Sequence, residues 1–311
     1  MPSYSSNNNC YSTPYEGCSF TGTHLTPSST ATFHTCIFTS LSSTDSGGAI
    51  SFTSGDSLSI EDCIFTSCYN IVTPSDFDGG GAIHVTAACT LTITSSLFIE
   101  CNTPCYGGAV HAQRACKSLE VLYSTFFDCY AGYGGGMTTY CGPSSSVVSS
   151  RFILCKSLST GGGIFHNSLQ TYSHLTVSDD LFTNNRADYL TDQYLNRGGG
   201  GFEDYRGRAY TSRYSFSFFH MNSAPTGVGN DISIHENKLD ANNIKHCFTT
   251  RATDSFWNNG TYTKSNTENW LPLTTSNIDE SEPTHTHNAF LSHSTTYHVN
   301  HIDSLVSSCI Q

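Results

Sequence analysis

Residues 91–112 read LTITSSLFIECNTPCYGGAVHA. In the opening LTIT, Leu91 and Ile93 point one way and Thr92 and Thr94 the other, so this is a strand with one buried face. Phe98 falls seven residues after Leu91 and Cys101 ten after it. A Gly107-Gly108 pair then leads into a second apolar stretch, Ala109-Val110.

The same frame recurs on both sides. Residues 58–68 read LSIEDCIFTSC, followed by GGGAIHV at 79–85, and residues 119–129 read LEVLYSTFFDC, followed by GGGMTTY at 134–140. Phe152 and Cys155 precede GGGIFHN, Phe182 and Asn185 precede GGGGFED, and Phe38 and Leu41 precede GGAISF. A degenerate copy pairs Phe219 and Asn222 with GVGNDISI. The marker phenylalanines at 38, 65, 98, 126, 152, 182 and 219 are spaced by 27, 33, 28, 26, 30 and 37 residues. A solenoid coil accommodates loops of unequal length on one side without moving the next rung. A period of about 30 lies in the solenoid range, and no copy carries the 3.6-residue stripe of a helical repeat. The repeat therefore predicts an all-β chain: a right-handed parallel β-helix of about seven coils, with N- and C-terminal caps.

In such a stack the marker rings lie above one another. Each phenylalanine buries roughly 150–250 Å², worth about 4–6 kcal/mol before conformational entropy is charged. The glycine pair serves either a backbone conformation closed to other residues or a close approach between coils. With rungs ~4.8 Å apart, seven coils make a rod about 30 Å long. The expected organisation is a cap over 1–30, repeats over 31–234, and a C-terminal cap and extended tail over 235–311. Both ends need covering, because a bare terminal rung is an open strand edge.

Composition narrows the function. The chain has 13 Lys+Arg against 25 Asp+Glu, a net charge of -12, which argues against a nucleic-acid partner. Abundant Ser, Thr, Asn and Gly disfavour helices. No run of 18 apolar residues forms a spanning helix, and no membrane insertion is expected. Met1 to Cys10 is polar, without the apolar core of a signal peptide, so the sequence leaves the cellular compartment open.

Phe-x-x-Asn paired with Gly-Gly-Ala-Ile resembles the repeats of chlamydial polymorphic outer membrane proteins. Similar repeats occur in large protist families of surface β-helix proteins, where the Asn is often Cys. The resemblance covers roughly Phe33 to Ile234: Asn185 and Asn222 keep the Asn form, and four copies carry Cys. It implies a right-handed parallel β-helix and an adhesive, surface-exposed role at the cell surface. Alternating strands of a translocator barrel are not seen.

Several residue groups could carry chemistry. Cys68, Cys101, Cys129 and Cys155 share one rung position, and Cys36 and Cys63 another. Packing as compact apolar groups is the favoured reading, and disulfides between adjacent rungs stay open. A metal site is disfavoured, because there is no Cys-x-x-Cys and a linear file cannot make a tetrahedron. His84 and His111 follow the glycine motif at equal offset and are expected one above the other on the exposed side of a strand. His285, His287, His293, His298 and His301 cluster near the C-terminus, where His285 and His287 could hold a metal from one strand face. Carboxylates of the kind polysaccharide-cleaving β-helices use are Asp76 and Asp78, Asp179 and Asp180, and Glu203 and Asp204 with Arg206 and Arg208. Asp179 and Asp180 are chain neighbours and should face opposite sides. Asn259-Gly260-Thr261 is a lone glycosylation acceptor. The glycines recur once per coil and lack the Lys-Ser/Thr of a phosphate loop, and no serine nucleophile elbow is present. No residue is assigned as catalytic, cofactor-binding or metal-binding, and no cofactor is expected.

The favoured expectation is a non-enzymatic surface module that binds a protein or glycan partner through loops such as Tyr69–Asp78 and Arg186–Arg197. The alternatives are a structural spacer inside a larger intracellular assembly and a carbohydrate-active enzyme.

Overall fold

The computed structural model describes residues 3–4, 13–71, 79–142, 144–167, 175–188, 200–206, 213–224, 232–236, 248–251, 255–259 and 270–273. Among these every regular element is a strand, and most strands pair in parallel with the equivalent strand one coil away. Each coil has three faces. The first carries Ala31–His34, Ser57–Glu61, Thr90–Thr94, Ser118–Leu122, Ser144–Val148 and Leu175–Ser178. The second carries the marker rings, in Ile37–Ser43, Ile64–Thr66, Leu97–Ile99, Thr125–Phe127, Arg151–Ile153 and Leu181–Thr183. The third follows the glycines, from Ile50–Phe52 through Ile83–Val85, Val110–Ala112, Met137–Thr139 and Ile164–Asn167 to Phe202–Arg206.

About five turns, from Ala31 to Asn167, are described almost continuously, somewhat fewer than the seven coils expected. Paired strands prolong the stack at both ends. Tyr15–Glu16 and Ser19–Thr23 pair in parallel with the first complete coil, so stacking begins within 1–30. Beyond 234, Phe248–Arg251 pairs with Arg213–His220 and Ser255–Asn259 with Ile232–Glu236, both in parallel. Strand direction reverses at each end. Ser3–Tyr4 lies antiparallel to Ser19–Thr23, and Trp270–Leu273 antiparallel to Ser255–Asn259.

The interior follows the alternation in the sequence. Leu58, Ile60, Leu91, Ile93, Leu119 and Val121 point inward from the first face and are fully buried. The marker rings form one file, which starts a rung early at Phe20: Phe20, Phe38, Phe65, Phe98, Phe126, Phe152, Phe182 and Phe219. Successive ring centroids lie 4.3–5.0 Å apart, close to the rung spacing, and all but the first pair are within 7° of parallel.

The two glycines have different reasons. Gly80 has φ +70°, the left-handed region that an L side chain strains to occupy. Gly81 has no such φ, but a Cβ there would lie 2.0 Å from the carbonyl oxygen of Gly108. One glycine permits the turn and the other the close stacking of coils.

Candidate functional site

Two of the corners in each coil obey one rule. A residue with positive φ makes the bend, and the next residue turns its side chain inward. At the corner after the second face the bending residues are Ser67, Glu100, Asp128, Leu154, Asn184 and Met221. The inward residues are Cys68, Cys101, Cys129, Cys155, Asn185 and Asn222. Each thiol donates to the carbonyl of the marker phenylalanine one coil earlier: Cys68 to Phe38 (3.7 Å), Cys101 to Phe65 (3.8 Å), Cys129 to Phe98 (3.7 Å) and Cys155 to Phe126 (3.4 Å). Asn185 Nδ2 donates in the same way to Phe152 (2.8 Å), and Asn222 Nδ2 to Phe182 (3.0 Å). Cys and Asn interchange here because both are small inward donors. Burial pushes the Cys101, Cys129 and Cys155 thiols well up, so they remain protonated. All four cysteines of the file are free and buried, as are Cys36, Cys63, Cys89, Cys116 and Cys141. Cys18 is disulfide-bonded.

The corner after the first face holds a second file: Cys36, Cys63, Ser96, Ser124, Ser150, Asp180 and Ser217. Each backbone N–H donates to the next side chain in the file, as Cys63 N does to Ser96 Oγ (3.1 Å) and Ser150 N to Asp180 Oδ1 (2.6 Å). Asp180 is therefore interior, fully buried, and burial pushes its carboxyl well up. Asp179 is the bending residue, φ 59°, and accepts from Ser178 Oγ. As expected of chain neighbours, the two do not form a carboxylate pair.

At the N-terminal end of the same corner, the outward side carries a titratable cluster that sequence reasoning missed. Glu16, His34 and Glu61 occupy equivalent positions on adjacent rungs. Gly17, Thr35 and Asp62 are the bending residues, at φ 60°, 53° and 51°, and Cys18, Cys36 and Cys63 turn inward. The signal was legible as three triplets in phase, Glu16-Gly17-Cys18, His34-Thr35-Cys36 and Glu61-Asp62-Cys63. Glu16 Oε1 lies 2.6 Å from His34 Nδ1 and accepts from Thr35 Oγ1 at 3.2 Å. His34 Nε2 faces Asp62 Oδ2 at 3.6 Å. Ligand atoms of His34, Glu61 and Asp62 all lie within 4.8 Å of one another. The Glu16 hydrogen bond raises the His34 pKa above its ordinary value, helped by the charges of Glu61 and Asp62. The same bond lowers the Glu16 carboxyl.

His84 and His111 stack in register, centroids 4.9 Å apart, but they are buried, a correction to the exposed position expected. Tyr106 and Tyr140 pack against His111, and Gln113 Nε2 lies 3.1 Å from His84 Nε2. The outer side of the third face is thus roofed by residues flanking the glycine motif. A tyrosine directly before the glycines, in Tyr106-Gly107 and Tyr133-Gly134, was the available clue; these two rings stack at 5.0 Å. Burial holds His111 well below the usual histidine range, with His84 adding to the shift.

Beside the second corner, at the foot of the variable loops, a file of outward residues runs along the rod. Tyr69, Asn102, Tyr130, Lys156 and Arg186 are in parallel register. Tyr69 is 37% and Tyr130 38% exposed, and nearby Ile71 is 56% exposed. Lys156 pairs with Asp128 at 3.2 Å and Arg186 with Asp188. Burial, with the charge of Asp188, raises the Tyr130 hydroxyl.

Of the other sequence candidates, Asp76, Asp78, Arg208 and His285, His287, His293, His298 and His301 lie outside the described residues. So do Gly260 and Thr261 and most of the loops Tyr69–Asp78 and Arg186–Arg197. Glu203, Asp204 and Arg206 lie on the third-face strand Phe202–Arg206.

Three-faced coils, a stacked aromatic interior and variable loops at one corner define a parallel β-solenoid with its outward chemistry at the corners. The chain belongs to the right-handed β-helix family: the model of the right handed beta helix region matches residues 4–212. No curated protein and no solved structure matches the chain.

Proposed function

We propose that this protein is a non-enzymatic binding module of the surface or adhesion type, engaging a protein or glycan partner through the side that carries the variable loops. The observation that carries this reading is the outward file Tyr69–Asn102–Tyr130–Lys156–Arg186. Two half-exposed tyrosines two rungs apart, about 10 Å, are followed along the rod by two cations. Aromatic faces and Arg are the side chains most enriched where proteins bind partners. Loop length varies most beside this file, while the interior repeats. The likeness of the Phe-x-x-Cys/Asn and Gly-Gly repeats to surface β-helix families supports the same reading.

The family fold also serves carbohydrate-active enzymes, so the carboxylates matter. Asp180 is interior and Asp179 shapes a corner, so that pair lends the enzyme alternative no support. A spacer role is the other alternative, and the antiparallel strands at both ends of the described stack speak against end-to-end polymerisation as its basis.

The test is binding of the full chain to glycan and purified-protein arrays and to intact cells, wild type against a Tyr69→Ala/Tyr130→Ala variant. Selective binding by the wild type, reduced about tenfold or more in the variant, supports the proposal, since one hot-spot residue contributes about 1–2 kcal/mol or more. Equal binding by both, or release of reducing ends from a bound polysaccharide, would overturn it.

A further inference from the structure

We propose that Glu16, His34, Glu61 and Asp62 form a binding site for a transition-metal dication of the zinc class. In this site His34 Nε2, Glu61 and Asp62 are the ligands, and Glu16 orients the imidazole. The site lies at the first corner, away from the loop file, and does not depend on the partner-binding reading.

The geometry carries the inference at three points. The first is the orientation of the imidazole. Glu16 Oε1 sits 2.6 Å from His34 Nδ1, so Nδ1 keeps its hydrogen and the lone pair of the neutral ring is on Nε2. A carboxylate bonded to the far nitrogen of a ligating histidine is the usual support of a zinc site. The second is the separation of Nε2 from Asp62 Oδ2, 3.6 Å. That is too long for a hydrogen bond. It is close to the edge of a coordination tetrahedron, about 3.4 Å for zinc–ligand bonds of about 2.0–2.2 Å. The third is convergence: one ligand atom each from His34, Glu61 and Asp62 lies within 4.8 Å of the other two. Register brings them together, because Glu61 is the β-partner of His34, and Asp62 is fixed beside it by the bend.

The donor set selects the ion. One imidazole with two carboxylates suits zinc and its first-row neighbours, whereas magnesium and calcium favour oxygen-only shells. Three protein ligands leave a fourth position open to water. The charged and titratable groups facing His34 are Glu16, Glu61 and Asp62. Their excess negative charge attracts a dication. Metal and proton compete for Nε2, so zinc affinity falls when the imidazole is protonated at low pH.

The experiment is calorimetric titration of the metal-free full chain with Zn2+ at pH 7.5 and 6.0. Four variants are compared with wild type: His34→Ala, Asp62→Asn, Glu16→Gln, and one with the five C-terminal histidines changed to Gln. The expected result is a site about 100-fold weaker or lost in His34→Ala and Asp62→Asn, and roughly 10–100-fold weaker in Glu16→Gln. It is kept when the C-terminal histidines are replaced, and it weakens at pH 6.0. Glu16, His34 and Asp62 are outward, so the thermal midpoints of those three variants without metal should change little. Unaltered zinc binding in both His34→Ala and Asp62→Asn overturns the proposal. So does a wild type that takes up no zinc at millimolar concentration, which would leave the cluster an ion pair only.

Discussion

Asp180 occupies the position that Ser150 and Ser217 fill in the neighbouring coils, and it takes over the acceptor role of the serine. Ser150 N donates to Asp180 Oδ1, whereas Asp180 Oδ2 has no hydrogen-bond partner among the described residues. Burial holds this carboxyl protonated well above 3.8. An unfolded chain ionises first as pH rises, so the group disfavours folding above about pH 4, progressively until the folded carboxyl also ionises. Asp180→Ser should therefore stabilise by about 1–2 kcal/mol at neutral pH and much less near pH 3.5. Denaturant midpoints at both pH values check this; equal effects at both would contradict it. His111 works in the opposite sense. Its pKa is depressed, so the stability it contributes is present above about pH 6.5 and lost as pH falls below that. Phe165 stands in the same outward file two rungs on, so a ring without nitrogen fits there. His111→Phe should flatten the loss of thermal stability between pH 7.5 and 5.5, read by thermal melts across that range. Leu154 is strained differently: a leucine at φ 58°, where the next coil has Asn184 at 54°. Asn tolerates this conformation better, so Leu154→Asn should raise stability by about 1 kcal/mol, measured as a shift in the denaturant midpoint.

At the scale of the strand and corner, the marker motif is a packing device and a hydrogen-bonding device together. The phenylalanine supplies a ring to the interior file and a carbonyl to the following coil, and the Cys or Asn three residues on returns a donor to the coil before. Phe98→Ala removes a ring stacked on both sides, at 4.8 Å from Phe65 and from Phe126. It should cost about 3–5 kcal/mol, because a file held at rung spacing cannot collapse onto the gap. Cys155→Asn is the milder change. It extends the amide pair Asn185–Asn222 by one rung, with Nδ2 directed at Phe126 O and Oδ1 at Cys129 N. Stability should stay within about 1 kcal/mol of wild type; a loss as large as that of Phe98→Ala would mean that the thiol packs in a way the amide cannot. The strands, the ring file and the Cys register were legible because each depends on alternation and phase, which a linear sequence displays. The exposure of His84 and His111 was misjudged for a physical reason. Alternation tells which side of a strand a residue takes, not whether a loop folds over that side. The Glu16–His34–Glu61 file escaped because its members differ in residue type and only their offset from the inward cysteines is constant.

The whole molecule is a stack in which each coil is completed by its neighbours, so its weak points are its ends. A terminal rung presents unpaired N–H and C=O groups in the geometry that accepts another strand. Among the described residues the last parallel rung at the C-terminal end is Ser255–Asn259, and its sequence, Ser-Phe-Trp-Asn-Asn, carries no charge to discourage pairing. Trp270–Leu273 pairs with it in antiparallel register, Trp257 opposite Leu271. The reversal ends the parallel repeat, because a strand running the other way does not offer the register on which a further coil could stack. Pro272, opposite Phe256, has no N–H to donate and blunts the outer edge. Truncation after Asn259 would uncover an uncharged edge that carries Phe256 and Trp257 while leaving the marker-ring stack in place. The truncated chain should retain its far-ultraviolet β signal yet associate with rising concentration in sedimentation velocity, whereas the full chain shows less association at equal concentration. A truncated chain that remains monomeric throughout would show that Trp270–Leu273 is not what protects the end of the stack.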